Sequence, residues 1–223
     1  MWGDHIYVES ISLNCYGVLL RIFSDDADFL NFVSANYRHF LTNIPFEKSD
    51  ITVHFSSSFY ERMQQESSHF TFLGGGVKRS QDSLYWENSF GFRTLAKIGK
   101  WGPYDIHSYH GALFTEKDPE ERRKNYQRAM RWSIHFPLFI RLEQVGNKHL
   151  MHACSVEKEG RALIFFGMNG VGKSSLGQYF VNNLGYRLLS DNFLLYDEKY
   201  VYGFPECTRL SKDSIKHFNM SLK

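Results

Sequence analysis

At 223 residues, 43% of them apolar, the chain is long enough to bury a sizeable core as one large domain or two small ones. A net charge of +2 from 26 basic and 24 acidic residues points away from nucleic acid and anionic membranes as partners. Cys15, Cys154 and Cys207 lie far apart and in no metal-ligand spacing, so a disulfide framework is not expected. The opening Met-Trp-Gly-Asp-His lacks the basic and apolar regions of a signal peptide. No apolar run approaches the ~18 residues that span a bilayer, and the expectation is a cytoplasmic protein with reduced thiols.

Tyr16–Phe23 is rich in β-formers, and Ser24 stands as a helix cap ahead of Asp25, Asp26 and Asp28. Phe29, Leu30, Phe32, Val33, Tyr37, Phe40 and Leu41 recur at three- and four-residue steps and predict an amphipathic helix. Asp50–Phe55 alternates as a returning strand. Residues 56–70 are polar and Ser-rich and read as a loop. Gly74–Gly76 suggests a phosphate cradle, but without a lysine or a following helix it reads as a hairpin turn. From Tyr85 to His110, aromatics punctuated by glycines predict two or three antiparallel strands.

Asp118, Pro119, Glu120 and Glu121 mark a helix start: cap, first-turn proline, then two acids. That helix is expected to reach Phe136, with Pro137 ending or kinking it. The apolar end at Phe136, Leu138, Phe139 and Ile140 packs most simply against a core, with a membrane-facing role as the alternative. Leu150–Val156 reads as a strand carrying His152, and 157–160 as a turn. Arg161–Phe166 is then a buried strand.

Gly167–Ser174 meets the pattern G-x-x-x-x-G-K-[ST] in every required position, with Gly167, Gly172, Lys173 and Ser174 at the fixed places and Met168, Asn169, Gly170 and Val171 between them. Glycines let successive N–H groups converge on a phosphate. The lysine reaches the outer phosphates, and the serine hydroxyl ligates magnesium. Ser175–Leu184 continues with Leu176, Tyr179, Phe180 and Leu184 at helical spacing, so the phosphate would also meet a helix N-terminus. The strand Leu188–Asp191 ends in an acid, with Asn192 next. A carboxylate there is suited to holding magnesium or taking a proton from an attacking hydroxyl, whereas alone it is equally a turn aspartate. His152 alone is equally a structural histidine. Strands are expected around Phe193–Tyr196 and Tyr200–Phe204, and a short helix near Ser211–Phe218.

Taken together, His152–Val156, Gly167–Ser174 and Gly185–Asp191 resemble the catalytic domain of HPr kinase/phosphorylase and its kinase-like relatives, a fold shared with ATP-type phosphoenolpyruvate carboxykinase. The resemblance covers about residues 130–210. It implies an α/β protein in which a mixed-sheet phosphate-loop nucleotide-binding domain over 118–223 follows an N-terminal α+β accessory region over 1–117. The activity implied is transfer of the ATP γ-phosphoryl group to a hydroxyl, notably serine, of a protein or peptide. By the same resemblance Asp191 is the general base, with His152 and Lys173 as the other catalytic positions. Gly167, Asn169, Gly170, Val171, Gly172, Lys173, Ser174 and Ser175 form the nucleotide site, and Ser174, Asp191 and Asn192 hold Mg2+. Asn192 replaces the family's second acid, and Ser175 stands where the family often has glutamate. The family's domain also continues beyond its acid pair, so this one reads as C-terminally short. These departures keep two alternatives open: a nucleotide-binding regulatory or assembly module without transfer, and a small-molecule kinase. A sheet edge left uncovered leads to the expectation of a homo-oligomer or a partner subunit.

Overall fold

The computed structural model describes residues 9–43, 49–56, 60–88, 91–98, 103–111 and 115–204. Tyr16 and Gly17, both at positive φ (55° and 93°), reverse the chain between β1 (Glu9–Cys15) and β2 (Val18–Ser24). Alternation along β2 buries Val18, Leu20 and Ile22. Helix α1 (Ala27–Asn36) is capped by Asp26, whose carboxylate accepts from the Phe29 amide at 3.0 Å. Ser24 serves one step earlier, its hydroxyl accepting from the Asp26 amide. The helix is shorter than its apolar spacing predicts: Tyr37 caps it, and Leu41 bridges instead to Leu13.

Strand β3 (Ile51–Phe55) lies parallel to β2. The polar stretch expected to be loop contains helix α2 (Tyr60–Ser67), which buries Met63 against Tyr85 and Leu95. Burial of Met63 gives this stretch an apolar anchor that its overall composition does not announce. A meander follows: β4 (Thr71–Gly74), β5 (Val77–Arg79), β6 (Ser83–Glu87), β7 (Phe92–Ile98) and β8 (Tyr104–His110). Gly75 and Gly76 form the β4–β5 turn at positive φ, as the hairpin reading requires. Strand β8 returns to pair parallel with β3, giving an eight-stranded mixed sheet of order β1-β2-β3-β8-β7-β6-β5-β4.

Helix α3 (Pro119–Met130) begins as its sequence predicts: the Asp118 carboxylate accepts from the Glu120 amide and Pro119 occupies the first turn. The chain does not stop at Pro137. Arg131–His135 widens into a π-helical turn, in which the Phe136 amide bonds back to Arg131, and α4 (Phe136–Gly146) continues through the proline. The wider turn precedes a residue that has no N–H to donate and whose ring needs room.

Two compact units result, Met1–Leu142 and Glu143–Lys223, so the division falls later than the 117/118 boundary read from the sequence. Helix α3 belongs to the first unit because Tyr126 donates to the buried Asp26 carboxylate at 3.0 Å and packs against Phe29 and Phe32. Arg141 likewise donates to Asp50 at 3.1 Å.

The second unit contains β9 (His149–Met151), β10 (Ala153–Lys158), β11 (Arg161–Phe166), α5 (Lys173–Leu184), β12 (Arg187–Asp191), β13 (Leu194–Tyr196) and β14 (Val201–Tyr202). One three-stranded sheet has the order β11-β10-β12 and the other β14-β13-β9. Strand β10 is antiparallel to both its neighbours and is the buried centre of its sheet. Contrary to expectation β11 is largely exposed, with Leu163, Ile164 and Phe166 open to solvent. The short helix expected near Ser211–Phe218, and Cys207, lie outside the described residues. Cys15 and Cys154 are buried free thiols. Among the described residues no helix is long and apolar enough to cross a membrane.

Candidate functional site

Strand β11 delivers the chain to Gly167, and α5 starts at Lys173, so the six-residue connection Gly167–Gly172 sits between a strand end and a helix N-terminus. Gly167, Gly170 and Gly172 take φ of 147°, 82° and 90°, left-handed conformations that side chains disfavour. Gly172 is the residue preceding the helix, and its carbonyl accepts the first helical bond, from the Leu176 amide at 2.8 Å. The first-turn amides of α5 are therefore directed at the loop, and the connection is solvent-exposed from Gly167 to Gly172.

The Lys173 ammonium folds back over this loop and donates to the Gly167 and Met168 carbonyls at 2.9 and 3.0 Å. The Ser174 hydroxyl donates to Asp191 Oδ1 at 2.7 Å. Asp191, only 3% exposed, ends β12 and faces Cys154 across the ladder. Burial, and then the Asp191 carboxylate, push the Cys154 thiol up to about 12, so it remains a neutral thiol beside that acid. Asn192 follows in a left-handed conformation, φ 86°, a backbone state that favours asparagine among the non-glycine residues. Ser175, half-buried, lies one residue into the helix from Ser174.

His152 is not within a strand. It occupies the exposed step between β9 and β10, whose strands belong to different sheets. The residue after it, Ala153, pairs with Phe166, the residue before Gly167, so His152 is carried at the loop end of β10.

The fold thus brings Lys173, Ser174 and Asp191 together, with Asn169, Gly170 and Val171 on the preceding connection, Ser175 next on the helix and Asn192 adjoining the acid. Two neighbours went unrecognised in the sequence. Gly177 is buried on α5 against β10, where an added Cβ would run into Cys154 Sγ. Cys154 is therefore wedged between the helix and Asp191. A glycine one turn into an otherwise ordinary helix was the available signal. The chain matches no protein-family model, no curated protein and no solved structure.

Proposed function

We propose that the chain binds ATP at Gly167–Ser174 and transfers its γ-phosphoryl group to a hydroxyl, notably serine, of a protein or peptide. The observation that carries this reading is the Ser174–Asp191 contact at 2.7 Å, placed at the N-terminus of α5 beside a lysine folded over a glycine-rich loop. The phosphates would take the place of the two carbonyls that now accept from Lys173, and the first-turn amides of α5 would meet the same charge.

The donors suit magnesium. Ser174 Oγ, the Asp191 carboxylate and the Asn192 amide oxygen are hard oxygen ligands. Adjacent ligands of an octahedral ion bound at 2.0–2.1 Å are about 2.9 Å apart, near the 2.7 Å between Ser174 and Asp191. When bound, Mg2+ supplies charge neutralisation on the β- and γ-phosphates. Asp191 is then the base toward the acceptor hydroxyl, and His152 supports it from the loop end of β10. This reading agrees with the resemblance to HPr-kinase-like enzymes.

A second reading, nucleotide binding without transfer, is favoured by Asn192. It contributes an oxygen but no charge where the kinase-like pattern has a second acid. Labelled ATP with magnesium, incubated with the chain alone and with lysate, separates the two. The transferase reading expects a labelled acceptor and a loss of about 10²–10⁴-fold in Asp191→Asn, with ATP affinity far less affected and His152→Ala milder. Equal loss of binding and transfer would make Asp191 chiefly a metal ligand. Undiminished transfer would remove it from the site. Intact ATP binding with no labelled acceptor would select the binding module.

A further inference from the structure

A second cluster of ligand-type side chains lies in the first unit. Strands β3 and β8 run parallel with Thr52 opposite Asp105 and His54 opposite His107. Strand alternation puts Asp105 and His107 on one face of β8, and the register puts His54 beside them. On β3 the opposite face carries Ile51, Val53 and Phe55, all fully buried. Asp105 Oδ1 is 3.5 Å from His54 Nε2 and 3.2 Å from His107 Nε2. One ligand atom from each of the three residues falls within 4.8 Å of the others.

We propose that His54, Asp105 and His107 form a site for a divalent transition cation of the zinc class, with three protein ligands and a position left to solvent. Zinc bound tetrahedrally at 2.0–2.2 Å sets its ligands about 3.3–3.6 Å apart; of the two distances to Asp105, 3.5 Å lies within that range and 3.2 Å just below it. Two imidazoles and a carboxylate are the donor set such ions favour. His107 is 2% and His54 17% exposed at the side chain, against 39% for Asp105, so the cluster is sheltered on the histidine side and open at the carboxylate.

Loading changes the cluster in one respect. The two histidine rings lie 4.6 Å apart and nearly parallel, with Phe23 stacked on the other face of His54 at 5.2 Å. A metal binds in the plane of each imidazole, and two parallel planes share no such point. His54, the less buried of the pair, therefore turns about its Cβ–Cγ bond, a torsion with a broad profile. Lys97 opposes loading: it pairs with Asp105 from β7, and its ammonium competes for the carboxylate.

The test uses the full chain stripped of metal with a chelator and titrated with Co2+, then with Zn2+ as competitor. Expected are the visible bands of tetrahedral cobalt saturating at one equivalent per chain and displaced by zinc. His54→Ala and Asp105→Ala should each weaken binding at least about tenfold, the scale on which even outer-shell changes act. Circular dichroism verifies that both variants fold. Lys97→Met should tighten it, and Ser174→Ala, which alters only the phosphate-loop unit, should leave it unchanged. No cobalt bands in the wild type, or binding that survives both His54→Ala and Asp105→Ala, would overturn the site.

Discussion

At the scale of single residues, the proposed function turns first on Lys173. Its ammonium is satisfied by two backbone carbonyls, so Lys173→Ala removes no structural core. On the proposed reading it does remove a charge-assisted phosphate contact worth ~1.5–3 kcal/mol. ATP affinity should fall about ten- to hundredfold. Calorimetry giving the same dissociation constant for wild type and variant would discount the loop as a nucleotide site. His135 makes a prediction of another kind. Fully buried in the π-helical turn between Tyr37 and Phe139, it has its pKa pushed down to about 3 by desolvation, with Arg131 adding to the shift. The unfolded chain therefore binds a proton that the folded one refuses. Stability is complete above about pH 6.5 and is lost as pH falls from there toward 3, at up to about 1.4 kcal/mol per unit. His135→Phe should flatten that dependence. Urea midpoints at pH 7 and pH 5 that shift equally in both proteins would refute the assignment.

Among elements, the packing of α5 on β10 makes the sharpest demand. Gly177 allows the helix to approach until its backbone meets Cys154. Alanine improves helix propensity by up to ~1 kcal/mol, but overpacking a filled interface costs ~1–3 kcal/mol. Gly177→Ala should therefore destabilise, and Cys154→Ala in the same chain should recover most of the loss. Chemical denaturation showing simple additivity of the two would contradict the clash. Much of this architecture was legible locally. Asp118 and Pro119 announced α3, the glycines at 75 and 76 a turn, and the apolar run before Gly167 a strand, because each signal is a short-range steric or capping effect. What escaped depends on partners distant in sequence. Tyr126 reaches Asp26 a hundred residues away, which moved α3 into the first unit. Met63 found Tyr85 and Leu95, which made a helix of a polar stretch. The π-helical turn ahead of Pro137 balances a lost donor against a continuous buried face, a balance that no window of sequence contains. At the candidate site, loop and acid were legible as motifs, whereas the Ser174–Asp191 contact and the wedge at Cys154 needed the sheet.

For the molecule as a whole, the exposed edge of the β11-β10-β12 sheet is the feature with consequences in solution. Leu163, Ile164 and Phe166 on β11, with Leu176 and Tyr179 on α5, present apolar surface next to a strand edge that has no ladder partner among the described residues. Self-association is the expected response. Sedimentation should show a concentration-dependent increase in mass at micromolar chain, reduced by Ile164→Lys. A stable monomer with measurable phosphoryl transfer would show that this edge needs no second copy.

The parallel seam between β3 and β8 fixes an order of assembly. Strands β4 to β8 are each hydrogen-bonded to a sequence neighbour, so the meander can zip up through short closures. Strand β3 cannot join β8 until everything from 56 to 103 has been threaded between them, a closure whose entropic penalty is met by no local reward. Until then β3 offers an open edge carrying Ile51, Val53 and Phe55. Before that closure is made, the edge of β3 is available to any other chain in the same condition.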